Sequence, residues 1–186
     1  MLPYFYQFKN HILNEEDCES LRKLSEANVE KYWGYTSVAD GVPNVADNNT
    51  ILGPNKMHGF YEILTDNVKK LLETLSIEGY PAFIRHAPGS KVITHVDDIR
   101  NKRLTVLSIP LWPQENYPPT YFRNEKKGPP IATATFENNN PCLLNTRVWH
   151  DLINTSNVYR LNFQICFSLP IREVAYLVEN NTLWHS

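Results

Sequence analysis

Two histidines and one aspartate have the residue types and part of the spacing of a metal site. His95 and Asp97 are separated by one residue, at the end of a predicted strand. Side chains two residues apart on a strand point to the same face, so both groups can reach one ion. His150 comes later, in an apolar run where an imidazole has no evident role in the core. We predict that His95, Asp97 and His150 bind one metal ion together.

The chemistry of these groups narrows the kind of metal site. Two imidazoles and one carboxylate are the ligand set of facial-triad sites, which hold Fe(II) and leave coordination positions open. Arg160 begins the polar face of the next predicted strand after His150, where its guanidinium can bind a carboxylate in a bidentate fork. Taken singly, an H-x-D motif or a lone histidine is more often an ordinary surface position than part of a metal site, and Arg160 also fits a solvated edge position. Their ordered combination favours an open metal site beside an anion-binding group.

Two helices are predicted in the first half of the chain. Asn14 is a suitable N-cap for a helix over residues 15–28, and Thr65 can cap a second helix that ends before Gly79. Between them, residues 29–58 are rich in glycine, proline and asparagine, which predicts a long loop region. Both helices therefore precede the strands that carry the metal site.

Short strand patterns dominate the rest of the chain and predict a sandwich or barrel. They cover residues 82–86, 91–96, 104–111, 132–136, 141–145, 148–154 and 159–168. The last strand has one apolar face and one unusually polar face, and the polar face begins with Arg160. That face meets solvent or lines a wet cavity inside a barrel.

Composition excludes several other classes of protein. The 186 residues include 18 Lys+Arg and 20 Asp+Glu, so the net charge of −2 makes nucleic-acid binding unlikely. The three cysteines have no C-x-x-C spacing, which argues against a disulfide framework and a thiolate zinc site. Without an apolar run of membrane-spanning or signal-peptide length, we expect one folded domain in the cytoplasm.

With these residues the chain resembles the Fe(II)- and 2-oxoglutarate-dependent dioxygenases. Their pattern is H-x-D, a distant H, and then R or K about ten residues later, and it is matched by His95, Asp97, His150 and Arg160. The flanking runs FIRHAPGSKVITH and NTRVWHDLIN are similar to aspartyl/asparaginyl β-hydroxylase-like and prolyl 4-hydroxylase-like members. The resemblance covers roughly residues 81–169.

The resemblance implies a mainly β fold with flanking helices, the double-stranded β-helix or jelly-roll barrel, similar to cupins. One oxygenase domain would span residues 1–186, with a helical and loop buttress over about 1–80, the barrel core over about 81–169 and a C-terminal tail over 170–186. The two early helices would buttress one sheet.

The resemblance also implies a cofactor, a co-substrate and a reaction. The triad would hold Fe(II), and Arg160 would bind the distal carboxylate of 2-oxoglutarate. Arg103 resembles a second basic residue that β-hydroxylase-like members use near that carboxylate, so it is a further candidate. The expected reaction consumes dioxygen and hydroxylates a protein side chain or a small metabolite, with release of succinate and CO2. No catalytic residue beyond the metal ligands is implied.

Substrate selection would fall to two long connections, residues 29–58 and 110–130. Two alternatives stay open at this point. One is a cupin-type metal protein that does not use 2-oxoglutarate, and the other is a non-enzymatic barrel that binds a sugar or peptide. A nucleic-acid demethylase of the same oxygenase family ranks low because the chain has no basic stripe.

Overall fold

The computed structural model describes residues 4–27, 34–35, 50–51, 64–97, 103–113 and 115–185. The helices are α1 (Glu15–Ala27), α2 (Asp66–Glu73) and α3 (Ile171–Glu179), with a 3-10 turn at Glu137–Asn139. The strands are β1 (Phe5–Gln7), β2 (Gly34–Tyr35), β3 (Thr50–Ile51), β4 (Gly79–His86), β5 (Lys91–His95), β6 (Thr105–Trp112), β7 (Thr120–Arg123), β8 (Pro130–Ala134), β9 (Cys142–Asn145), β10 (Trp149–Ile153) and β11 (Arg160–Phe167).

The strands form two antiparallel sheets. The major sheet has the order β1-β9-β6-β11-β4-β3-β2, and the minor sheet has the order β5-β10-β7-β8. In each sheet a late strand lies between two earlier ones: β11 between β4 and β6, and β10 between β5 and β7. This order is typical of a jelly roll. The predicted mainly β architecture with flanking helices is confirmed.

Both predicted helix starts are present. The Asn14 side chain accepts a hydrogen bond from the backbone N–H of Asp17 at 2.8 Å, and Thr65 caps α2 through Val68. All seven predicted strands are also present, with bounds that differ by a few residues. Most of the predicted loop over residues 29–58 lies outside the described residues, which include only the two short strands β2 and β3 there.

The helices cover the outer face of the major sheet. The apolar face of β11 packs there with Phe83 of β4, and α1, α2 and α3 contribute Leu21, Val68 and Val174 to the same core. Each fully buried side chain of this kind contributes roughly 1.5–3 kcal/mol to stability. The polar face of β11 therefore points into the barrel, and all eight of its residues are buried.

Among the elements that were not predicted are β1, β7 and α3. The three-residue strand β1 lies in the aromatic N-terminal segment, and β7 lies in the proline-rich connection that was predicted as a loop. Helix α3 lies in the segment predicted as a C-terminal tail, although its buried Ile171, Val174 and Ala175 have helical spacing. No helix in the described part of the chain has the length and apolar character needed to span a bilayer.

Candidate metal centre

His95 and His150 face each other across the minor sheet. His95 ends β5, His150 is the second residue of β10, and the two are direct cross-strand partners. Directly opposed residues of antiparallel strands project to the same face. Their ring centroids are 4.4 Å apart, and the buried Phe122 of β7 lies beside His150 on that inner face.

Asp97 completes the cluster from the segment that follows β5. Its backbone N–H donates to the carbonyl of Thr146 at 2.9 Å, which fixes the chain at this point. Its Oδ1 lies 3.3 Å from Nε2 of His95. One potential ligand atom from each of Asp97, His95 and His150 lies within 4.8 Å of the other two. The structure thus brings the three predicted ligands together.

The orientation of both imidazoles suits metal binding. Nδ1 of His95 lies 2.8 Å from the carbonyl oxygen of Ile93, and Nδ1 of His150 lies 2.8 Å from that of Val148. A carbonyl only accepts hydrogen bonds, so each Nδ1 carries a proton, and Nε2 is the nitrogen that a neutral ring would offer to a metal ion. Two such nitrogens and one carboxylate fit a divalent first-row metal ion.

The local electrostatics hold His150 and Asp97 in the protonation states that bind metal. Burial, reinforced by the charge of His95, lowers the pKa of His150 to about 4. Burial acts to raise the pKa of Asp97, but the Arg103 guanidinium and the contact with His95 more than offset it, so this pKa lies well below its usual range. His150 is therefore neutral and Asp97 ionised near neutral pH.

Arg103 lies next to Asp97. Its Nε is 3.3 Å from Oδ2 of Asp97, and its Nη2 donates to Oε1 of Gln164 at 2.7 Å. The side chain of Thr146 donates to the Arg103 carbonyl, so the residue is also anchored through its backbone. The charge of Arg103 is thus already matched by a carboxylate.

Arg160 has a different environment. It is 2% exposed, and its guanidinium carbon lies 4.5 Å from the ring centroid of Tyr117 and 5.6 Å from that of Phe136. Its Nη1 donates a long hydrogen bond of 3.4 Å to Oδ1 of Asn162, the Tyr117 hydroxyl also interacts with the guanidinium, and its Nε has no hydrogen-bond partner among the described residues. Burial lowers its pKa, but a guanidinium stays charged. The described residues give this buried cation no carboxylate.

His86 is a site residue that sequence analysis left without a role. It is the cross-strand partner of Arg160 on β4 and is 6% exposed. Burial, and then the charges of Arg160 and His95, lower its pKa. It therefore lies within electrostatic range of both the triad and Arg160. Only the pairing of β4 with β11, which the chain order does not reveal, could have identified it.

A second polar cluster lies on the opposite face of the minor sheet. Asp151, next to His150, is 1% exposed and accepts a hydrogen bond of 2.8 Å from the Thr94 hydroxyl. Arg123 of β7 contacts both carboxylate oxygens of Asp151. None of these three residues was singled out from the sequence, although a carboxylate within the apolar run around His150 is itself unusual.

Comparison with solved structures identifies the fold. The chain superposes on a prolyl 4-hydroxylase from Pseudomonas putida with a TM-score of 0.57 and 14% identity, covering 88% of this chain and 91% of that one. A prolyl hydroxylase from Trichoplax adhaerens, in complex with a hypoxia inducible factor peptide fragment, gives a TM-score of 0.57 and 16% identity over 94% and 87% of the two chains.

A third structure, the non-heme alpha-ketoglutarate-dependent epimerase SnoN from nogalamycin biosynthesis, gives a TM-score of 0.57 and 9% identity over 87% and 74% of the chains. No family model and no curated protein matches the sequence. The chain has the double-stranded β-helix of the Fe(II)- and 2-oxoglutarate-dependent oxygenases, and the predicted resemblance is confirmed at the level of fold.

Proposed function

We propose that this chain is an Fe(II)- and 2-oxoglutarate-dependent dioxygenase. In this proposal His95, Asp97 and His150 hold the iron, and Arg160 binds the distal carboxylate of 2-oxoglutarate. The observation that carries it is a buried guanidinium without a carboxylate partner among the described residues, inside the same barrel as a His-Asp-His cluster.

Burying a charge without a counter-ion costs free energy, so an anion bound at Arg160 would stabilise the protein. Among the described residues, those around Arg160 are Tyr117, Phe136, Asn162 and His86, none of which is a carboxylate, and this supports a ligand as the source of the anion. A 2-oxo dicarboxylate would satisfy both groups, because its oxo acid end would chelate the metal while its other carboxylate would pair with Arg160.

Arg103 suits a different role. Its pairing with Asp97 supports a function in keeping that carboxylate ionised and oriented, with Gln164 holding the guanidinium in place. Of the two arginines proposed from the sequence, we therefore assign the co-substrate carboxylate to Arg160. Arg103 stays next to the metal ligand.

Bound iron would supply the activation of dioxygen and the oxidation of 2-oxoglutarate to succinate and CO2, coupled to oxidation of the substrate. The protein contributes the arrangement of the metal-binding residues and an apolar surface that excludes water. His95, His150 and the ionised Asp97 would occupy three coordination positions and leave the others open for the co-substrate and oxygen. Phe122 and Leu152, both buried on neighbouring strands of the minor sheet, exclude water from the inner face.

The proposed substrate is a protein side chain or a small metabolite, and the proposed reaction is hydroxylation. Among the proteins of the same fold, two are named as prolyl hydroxylases, and one of these was solved with a peptide. The third is named as an epimerase, so epimerisation is a specific alternative for the outcome of the same oxidation. Analysis of the product by mass distinguishes them, because hydroxylation adds one oxygen atom and epimerisation adds none.

Anaerobic titration with Fe(II), followed by 2-oxoglutarate, tests the proposal. We expect a weak visible charge-transfer band from the chelated complex, and we expect Asp97→Ala to abolish it. Arg160→Met should raise the 2-oxoglutarate concentration needed for the band by at least about tenfold, since it removes a charge-assisted bidentate contact. Arg85→Met is the matched control. Arg85 lies on β4, the strand that pairs with β11, opposite Leu161, and its side chain is only half-buried.

Two results would overturn the proposal. Bound metal without a band would favour a cupin-type protein that does not use 2-oxoglutarate. The absence of metal binding would favour a ligand-binding barrel.

A further inference from the structure

The strand that carries His95 is weakly held by main-chain pairing. β5 is an edge strand, because β10 is its neighbour on one side and no described strand pairs with its other side. Its pairing with β10 is also interrupted: His150 pairs with His95, but the next pair is Leu152 with Val92. The register shift leaves Ile93 and Thr94 opposite the single residue Asp151, as in a β-bulge.

A side-chain cluster bridges this irregularity. The Thr94 hydroxyl donates to Oδ2 of Asp151 at 2.8 Å, which joins β5 to β10 at the bulge. Nη2 of Arg123 lies 3.3 Å from Oδ1 of Asp151, its Nε contacts Oδ2, and its Nη1 donates to the Gly128 carbonyl. The cluster of Thr94, Asp151 and Arg123, which we call the rear clamp, therefore spans three adjacent strands.

The rear clamp is adjacent to the metal centre in the chain. Thr94 precedes His95 and Asp151 follows His150, so each end of the Thr94–Asp151 hydrogen bond is one residue from a histidine of the triad. Ile93, the other residue of the bulge, accepts the Nδ1 hydrogen bond of His95 at 2.8 Å. A change in the bulge would thus alter both the position of β5 and the orientation of the His95 ring.

We propose that the rear clamp is a positioning device that fixes His95 against His150 for metal binding. The proposal rests on the proposed metal site and deepens it. Asp151 acts through the backbone of β5 and β10 rather than by touching the metal, and Arg123 keeps its carboxylate in place. Without the clamp the donor atoms spread, and binding must reorganise the edge strand.

The test is an anaerobic titration of the metal-free protein with Co(II) alone, followed by its visible absorption. We expect Thr94→Val and Asp151→Asn each to weaken Co(II) binding by about tenfold, the lower end of the range for residues that orient metal ligands. We also expect a changed band shape in both variants. Thr94→Ser keeps the hydroxyl and should bind Co(II) like the wild type.

A matched control separates positioning from general destabilisation. Asp17 is also a buried carboxylate, 5% exposed, that accepts hydrogen bonds from Thr65 and Asn67 far from the triad. Asp17→Asn should lower the melting temperature yet leave Co(II) affinity and the spectrum unchanged. If Asp151→Asn fails to fold, the comparison of Thr94→Val with Thr94→Ser decides the question.

The outcomes distinguish the two proposals. If the wild-type protein does not bind Co(II), both the metal site and the rear clamp are overturned. If the wild type binds Co(II) and the Thr94→Val and Asp151→Asn variants bind it equally well with the same spectrum, the clamp alone is overturned. Weaker binding with an altered spectrum in these variants, and not in the controls, supports the clamp.

Discussion

The protonation states of His86 and His150 follow from the surroundings of each side chain. His86 is buried beside a permanent cation, Arg160, so its neutral form is favoured in the folded protein. His150 is also held neutral, chiefly by burial. In the unfolded chain both would titrate near the usual value of 6.5. Folding therefore opposes protonation at both positions.

Acid should destabilise the metal-free protein for this reason. As the pH falls below 6.5, His86 is protonated in the unfolded chain but stays neutral in the folded protein. Each such group removes about 1.4 kcal/mol from the free energy of unfolding per pH unit, until the folded pKa is reached. Urea unfolding in the presence of a chelator between pH 7.5 and 5.5 measures this slope. We expect His86→Asn to reduce it.

His185→Asn is the control for that experiment, because His185 is exposed. It should leave the slope of stability against pH unchanged. An equal slope in wild type and His86→Asn would show that His86 is protonated without cost in the folded protein.

At the residue scale, chain order decided which of the candidate site residues could be predicted. The triad of His95, Asp97 and His150 could be predicted because residue type, alternation and order along the chain are all visible in the sequence. His86 and Asp151 could not, because their roles depend on which strands pair and in what register. Nothing in the sequence indicates that Thr94 and Asp151 meet at a bulge.

At the scale of elements, the alternation of side chains predicted the strands well, and the helix caps predicted the starts of α1 and α2. No strand was predicted at β7, where several prolines precede Thr120, and no helix was predicted at α3, which lies within residues 170–186. Both misses are segments whose state is set by packing: Phe122 and Val174 are fully buried against other elements. Local sequence carries only part of that information.

Helix α3 should therefore contribute to stability. Val174 on this helix is 0% exposed and packs in the core below the major sheet. Val174→Ala leaves a cavity and should lower the free energy of unfolding by roughly 2 kcal/mol, as measured by urea denaturation. Tyr176→Ala on the same helix is the control, since Tyr176 is 63% exposed. Equal stability of Val174→Ala and wild type would mean that α3 is not part of the core.

The start of β4 packs too closely against its neighbours to accept a side chain. A Cβ added at Gly79 would lie 2.9 Å from side-chain atoms of Ile165 and Phe167 and 3.1 Å from Leu75. We expect Gly79→Ala to cost about 1–3 kcal/mol of stability through overpacking. Gly128→Ala is the comparison, because the close neighbour there is the flexible side chain of Glu125, and thermal melting should rank it as the milder change.

At the scale of the whole molecule, the residues of the proposed site come from both sheets of the barrel. The triad belongs to the minor sheet and the segment after β5, whereas Arg160 belongs to β11 of the major sheet. A molecule that spans the metal and Arg160 would tie the two sheets together. Its binding energy would then appear as stability of the entire fold, because the unfolded chain has no such site.

Metal should therefore stabilise the protein by itself, whereas 2-oxoglutarate should stabilise it mainly when the metal is already bound. Mn(II) at one hundred times its dissociation constant should add about 2.7 kcal/mol, seen as a higher melting temperature, and His150→Ala should abolish the shift. 2-Oxoglutarate should add a further shift when Mn(II) is present and little without it, because it needs both ends of the site. In Arg160→Met the Mn(II) shift should persist while the additional 2-oxoglutarate shift falls. Equal 2-oxoglutarate shifts in wild type and Arg160→Met would instead locate the co-substrate carboxylate away from Arg160, and Arg103→Met would be the next variant to measure.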